Sequence, residues 1–158
     1  AKLEPPVAPS PVEMSEHSDP WLNVFDVSLP KEMRTRYRIR YAKRDLHSLS
    51  SHIEAMVYFH RAFKRADIPV VYTKGMHPRM KTNQSPPIPL GAMSEAEFMD
   101  VEIKKPFSPS ELQSRLMGHL PVGIVILSVE DLGYNPPAVS ASLQLFQWEI
   151  STALDTTI

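Results

Sequence analysis

No cysteine occurs in this 158-residue sequence. That absence removes disulfides, thiolate zinc sites, a cysteine nucleophile and iron-sulfur ligation from the chemistry of the chain. No stretch approaches the roughly eighteen consecutive apolar residues of a membrane span. The N-terminus also lacks the basic and apolar regions of a secretory signal. A cytoplasmic setting with no membrane partner is the resulting expectation. Several catalytic signatures are missing too. There is no His-Glu-x-x-His zinc spacing and no Gly-x-Ser-x-Gly context around Ser48, Ser50 or Ser51. Lys74-Gly75 has neither the spacing nor the following helix of a phosphate-binding P-loop.

What is present is segregated charge. Between Lys31 and Lys81 lie thirteen of the seventeen Lys and Arg residues against four acids (Glu32, Asp45, Glu54, Asp67), a local excess of nine positive charges. The other 107 residues hold four cations and fourteen acids, so a formal net charge of −1 conceals a polarised molecule. Such asymmetry points to an anionic partner. Within the basic block, Arg34, Arg36, Arg38 and Arg40 recur at every second position with Tyr37, Ile39 and Tyr41 between them. Period two is a strand pattern, which places the guanidinium groups on one face of a sheet and the apolar side chains on the other.

The sixteen prolines are uneven, five of them falling in the first twenty residues among Glu4, Glu13, Glu16 and Asp19. Residues 1–30 are therefore expected to be a flexible linker. After the arginine strand, Ser51-His52-Ile53-Glu54 has the form of a capping box and predicts a helix to about Ala66. Its buried stripe is expected to be Ile53, Met56, Val57, His60 and Phe63, with Arg61, Lys64 and Arg65 facing water. Val70-Val71-Tyr72 predicts a second strand, and residues 74–94 are too rich in proline and glycine for regular structure. A third strand at about Glu97 to Ile103 would set Met99, Val101 and Ile103 opposite Asp100 and Glu102. Ser108, Pro109 and Glu111 predict the start of a second helix with a stripe of Leu112, Leu116 and Leu120. Ile124 to Val129 reads as a fourth strand.

The order β-α-β-β-α-β predicts an α+β domain over residues 31–133. The expected fold is a ferredoxin-like split βαβ, with a four-stranded antiparallel sheet and two helices on one face. Residues 134–158 are expected to add an extra strand, Leu143 to Thr152, opening a truncated second subdomain.

An ordered set of landmarks spans about Arg36 to Glu130: the Tyr37-Arg38-Ile39-Arg40 strand, the Ser51-His52-Ile53-Glu54 helix start, Ile68-Pro69-Val70, the Gly75-Met76-His77-Pro78 turn and Pro86-Pro87-Ile88-Pro89-Leu90-Gly91. In this the chain resembles the radical-SAM-linked, or radical-SAM-associated, bacterial domain family of unknown function. The resemblance implies an accessory domain, alone or on the C-terminal side of a radical SAM module. Cofactors would belong to that linked module in cis or in trans: S-adenosylmethionine, an iron-sulfur cluster and, in many members, cobalamin. None is expected in this chain. Met76 stands where the family usually has an aromatic, and Thr82-Asn83-Gln84 is more polar than usual.

The residues themselves offer several chemistries. Asp100 and Glu102 have the parity to meet Arg36, Arg38 and Arg40 across neighbouring strands, which would quench part of the charge. The surplus over these acids, with Lys74, Arg79 and Lys81 in the loop, is expected to hold phosphate groups, making RNA or another polyanion the favoured partner. Tyr37 and Tyr41 face the helices by parity, so the base-stacking signature of an RNA-recognition sheet is absent. His52, Glu54, Gly75, His77 and Pro78 are expected to shape the long loop. His60 is read as a hydrogen-bonded core residue and His119 as a surface one.

The leading expectation is a non-catalytic accessory or substrate-binding domain. One rival is an enzyme that uses His52, Glu54, His77 and Arg79 on a small phosphorylated or carboxylated substrate. The other is a docking module for an acidic partner. Neither catalytic residues nor a metal site are assigned.

Overall fold

A computed structural model of the chain describes residues 34–133 and 136–151; the expected linker over 1–30 lies outside them. The order of elements is β1 (Thr35–Lys43), a 3-10 turn (Asp45–Leu49), α1 (His52–Arg65), β2 (Thr82–Gln84), β3 (Ser94–Ile103), α2 (Pro109–Met117), β4 (Ile124–Asp131) and α3 (Val139–Ser142). The strands form one antiparallel sheet in the order β2-β3-β1-β4, a ferredoxin-like arrangement with β1 and β3 at its centre. Alternation along β1 buries Tyr37, Ile39 and Tyr41 beneath the helices. They share one core with Met99, Val101 and Ile103 of β3, Phe59 and Phe63 of α1, and Leu112 and Leu116 of α2. The Tyr37 hydroxyl both donates to the Phe107 carbonyl and accepts from the Phe107 amide at 2.8 Å. A buried phenol is thereby satisfied, and the β3–α2 connection is pinned to the central strand.

Helix α1 starts as its sequence dictates. Glu54 N–H donates to the Ser51 hydroxyl and Ser51 N–H donates to the Glu54 carboxylate, a reciprocal capping box. Its buried face is only partly the one expected: Phe63 is buried and Met56 and His60 are half-buried. Ala55, Phe59, Ala62 and Phe63 face the sheet, while Ile53 and Val57 are exposed. The helix carries two apolar arcs, and the one containing alanines allows its axis to approach the strands closely. His60 is half-buried, and its Nε2 lacks the hydrogen-bond partner expected for a core histidine. Burial, helped by Lys64, holds its pKa below the ordinary value. In α2 the Ser108 hydroxyl accepts from Glu111 N–H as expected. Glu111 pairs with Arg115 one turn on, at 2.8 Å, so its carboxylate does not complete a second box.

The edge strand also departs from expectation. Val70 bridges Ile103, and Val71 N–H donates to the Glu102 carbonyl, but the chain then leaves the edge. Tyr72 and Met80 close a short antiparallel excursion, after which Thr82–Gln84 resumes pairing with β3 inside the segment expected to be irregular. Backbone pairing along the open edge of β3 is available to any extended segment, which the proline count could not reveal. Beyond β4, residues 143–151 make no strand among the described residues, and Leu145, Phe146, Trp148 and Ile150 are exposed. Alternation there marks the capacity to pair, but no strand among the described residues takes it up.

Candidate functional site

The sheet face away from the helices carries the arginine row, and register decides what that row can do. Arg36 lies opposite Glu102, Arg38 opposite Asp100 on one side and Glu130 on the other, and Arg40 opposite Phe98. Arg38 grips Asp100 through two hydrogen bonds of 2.8 and 3.0 Å. Glu102 receives Arg36 and Lys81, each at 2.8 Å. Arg40 is exposed, and its Nε donates to the Glu95 carbonyl at 3.2 Å. Three cations (Arg36, Arg38, Lys81) are thus ion-paired with two carboxylates (Asp100, Glu102), with Glu130 beside Arg38 in register, while Arg40 has only a backbone carbonyl. The expected pairing with Asp100 and Glu102 therefore takes up Arg36 and Arg38 and leaves Arg40 as the exposed cation of the row.

Electrostatics follow from these contacts. Burial would raise the pKa of Glu102, but hydrogen bonds from Lys81 and Arg36 prevail and hold it below the ordinary carboxylate value. The hydrogen bond to Asp100 outweighs burial and raises the pKa of Arg38. The arginine row is also covered. Arg36 donates to the Pro136 carbonyl at 3.3 Å, and Arg38 to the Pro137 carbonyl at 3.2 Å. Val139 of α3 is buried. Residues 136–142 therefore lie over part of the face that the topology alone would leave open. The sequence held a signal for Glu130, an acid near the end of the fourth strand. It held none for this cover, because backbone carbonyls have no side-chain signature.

The other basic residues stand apart. Lys74 and Arg79 flank the tip of the excursion, where residues 73–79 are exposed. Thr73 N–H donates to the Arg79 carbonyl, and Arg79 N–H to the Thr73 hydroxyl. Gly75, at φ +135°, makes the bend that precedes His77 and Pro78. On α1, Arg61, Lys64 and Arg65 project into water as expected. These five cations make no ion pair with any described residue. His52 opens α1, half-buried, whereas His77 is exposed at the excursion. No hydrogen bond joins the two, and Glu54 is occupied by its cap. Among the described residues no cluster of three or more His, Asp or Glu side chains could hold a metal ion. No helix among them is long and apolar enough to cross a membrane.

No curated protein and no solved structure matches the chain. A family model described as "Uncharacterized protein conserved in bacteria (DUF2344)" matches residues 36–157. With both principal helices and all of the sheet but the first residue of β1 inside that match, the chain belongs to this bacterial family, DUF2344.

Proposed function

We propose that the domain is a non-catalytic accessory module that holds an RNA-type polyanion for a radical SAM enzyme, and that it does so away from the arginine row. One observation carries the reading. Arg36, Arg38 and Lys81 of the sheet are spent on Asp100 and Glu102, whereas Arg61, Lys64, Arg65, Lys74 and Arg79 are exposed and unpaired among the described residues. Charges already neutralised within the fold gain little from a phosphate; exposed unpaired ones release counterions when it binds. The radical SAM setting rests on the resemblance of the Tyr37–Arg40 strand, the Gly75–Pro78 turn and the Pro86–Gly91 element. The cluster thiolates would come from the linked module, since this sequence contains no cysteine.

Fluorescence anisotropy with a single-stranded oligouridylate tests the binding. Affinity should fall steeply as salt rises, with a log–log slope of about −0.7 for each phosphate neutralised. Lys74→Gln with Arg79→Gln should weaken it roughly uniformly across sequences, whereas Arg36→Gln, at a guanidinium already paired with Glu102, should change it little. Absence of binding at low salt, or binding indifferent to the Lys74 and Arg79 changes, would overturn the polyanion reading. The enzymatic setting is tested on the natural gene product, which should carry or co-purify with a cysteine-bearing iron-sulfur module.

A further inference from the structure

Helix α1 and the connection from α2 to β4 flank an open surface pocket of about 350 Å³. Arg61 and Arg65, one helical turn apart, share a face of α1 and line one wall with Tyr58. His119, Leu120 and Pro121 form the other wall. No carboxylate lines the pocket, and neither arginine has an ion pair or hydrogen bond with a described residue. The Tyr58 ring meets His47 edge-on, with centroids 5.3 Å apart.

Two guanidinium groups within reach of one cavity repel each other unless an anion lies between them, and guanidinium geometry suits phosphate oxygens. Helix α2 also ends here, and its last carbonyls oppose an anion. That end amounts to roughly half a negative charge, which two full positive charges outweigh. The space lies at the lower end of the small-ligand range of about 300–1,000 Å³ and exceeds what a phosphate group alone requires. Tyr58, Leu120 and Pro121 supply apolar surface for the remainder of the ligand.

We infer that this pocket binds a mononucleotide through its phosphomonoester. Arg61 and Arg65 hold the phosphate, His119 donates to it, and Tyr58 with Pro121 packs on the sugar or base. The inference rests on the anion-binding part of the reading above and adds the ligand class.

Isothermal titration calorimetry of the full chain with adenosine 5′-monophosphate, adenosine and inorganic phosphate tests it. The monophosphate should bind saturably, adenosine at least tenfold more weakly, and phosphate should compete. Arg61→Gln with Arg65→Gln should reduce monophosphate affinity at least tenfold while the circular dichroism spectrum is unchanged, and His119→Gln should reduce it by a smaller factor. Equal affinity for adenosine and its monophosphate would overturn the phosphate assignment. Equal affinity for free phosphate and the monophosphate would overturn the nucleotide assignment. Oligouridylate binding without monophosphate binding sinks the pocket and leaves the polyanion reading standing; monophosphate binding without oligouridylate binding does the reverse.

Discussion

At the scale of single residues, Arg38 and Asp100 face each other in register across the two central strands, their side chains 15% and 3% exposed. Water screens such a pair weakly, so losing one partner costs more than the pair itself contributes. Arg38→Ala should destabilise the domain by about 3 kcal/mol, because Asp100 is left charged and enclosed. Replacing both, as Arg38→Met with Asp100→Leu, should recover most of that loss. Urea unfolding of the three proteins measures both effects. A loss below about 1 kcal/mol for Arg38→Ala would place the pair in the surface class. Arg44 and Glu95, bidentate at 2.7 Å but 42% and 59% exposed, already belong to that class despite equally good geometry.

At the scale of elements, junctions matter more than propensities. The turn into β4 needs Gly123, whose φ is +101° and whose carbonyl accepts from Arg44 N–H at 2.8 Å. A Cβ there would lie 2.9 Å from both the Arg44 carbonyl oxygen and the His47 ring. Gly91, at φ +85°, has open space around it. Gly91→Ala should therefore incur only the backbone strain of about 1–3 kcal/mol, while Gly123→Ala incurs that strain and a backbone collision. Thermal unfolding should rank Gly123→Ala clearly below Gly91→Ala; equal midpoints would show that the close approach does not constrain the turn. The same lesson holds for α1. Its cap was legible in four consecutive residues, but of its buried face only Phe63 was, because Ile53 and Val57 are more hydrophobic than the alanines that contact the sheet.

At the scale of the whole molecule, internal pairing of charge makes stability depend on pH. Glu102 keeps a depressed pKa because Lys81 and Arg36 outweigh its burial. The Ser51 backbone depresses that of Glu54, and Arg44 that of Glu95. A carboxyl whose folded pKa lies below its unfolded value contributes stability that is present above the unfolded value and lost as pH falls through the folded one. The thermal midpoint should thus decline modestly as pH falls through about 6.5, where the unfolded chain takes up the proton that half-buried His60 resists, and more steeply below about 4.5 as these carboxylates protonate. Glu102→Gln should lower the midpoint at neutral pH, by leaving Arg36 and Lys81 without their acid, and should shallow the acid decline. An unaltered acid slope in that variant would mean that other carboxylates govern acid unfolding.

Local pattern alone determined the arginine strand, both principal helices with their serine caps, the β-α-β-β-α-β order and the absence of thiol chemistry. Each depends on neighbours within a few positions, or on composition. Even the partners of Arg36 and Arg38 were legible, since parity along β3 places Asp100 and Glu102 on the same side. Tertiary structure decided whether those partners sufficed. The sheet brings Glu130 beside Arg38 and Lys81 beside Glu102, and it lays the carbonyls of Pro136 and Pro137 over the guanidinium groups. It also brought Arg61 and Arg65 against His119 and Pro121, residues more than fifty positions away in the chain. Neutralisation and enclosure depend on which groups meet in space, and periodicity within one segment carries no record of that.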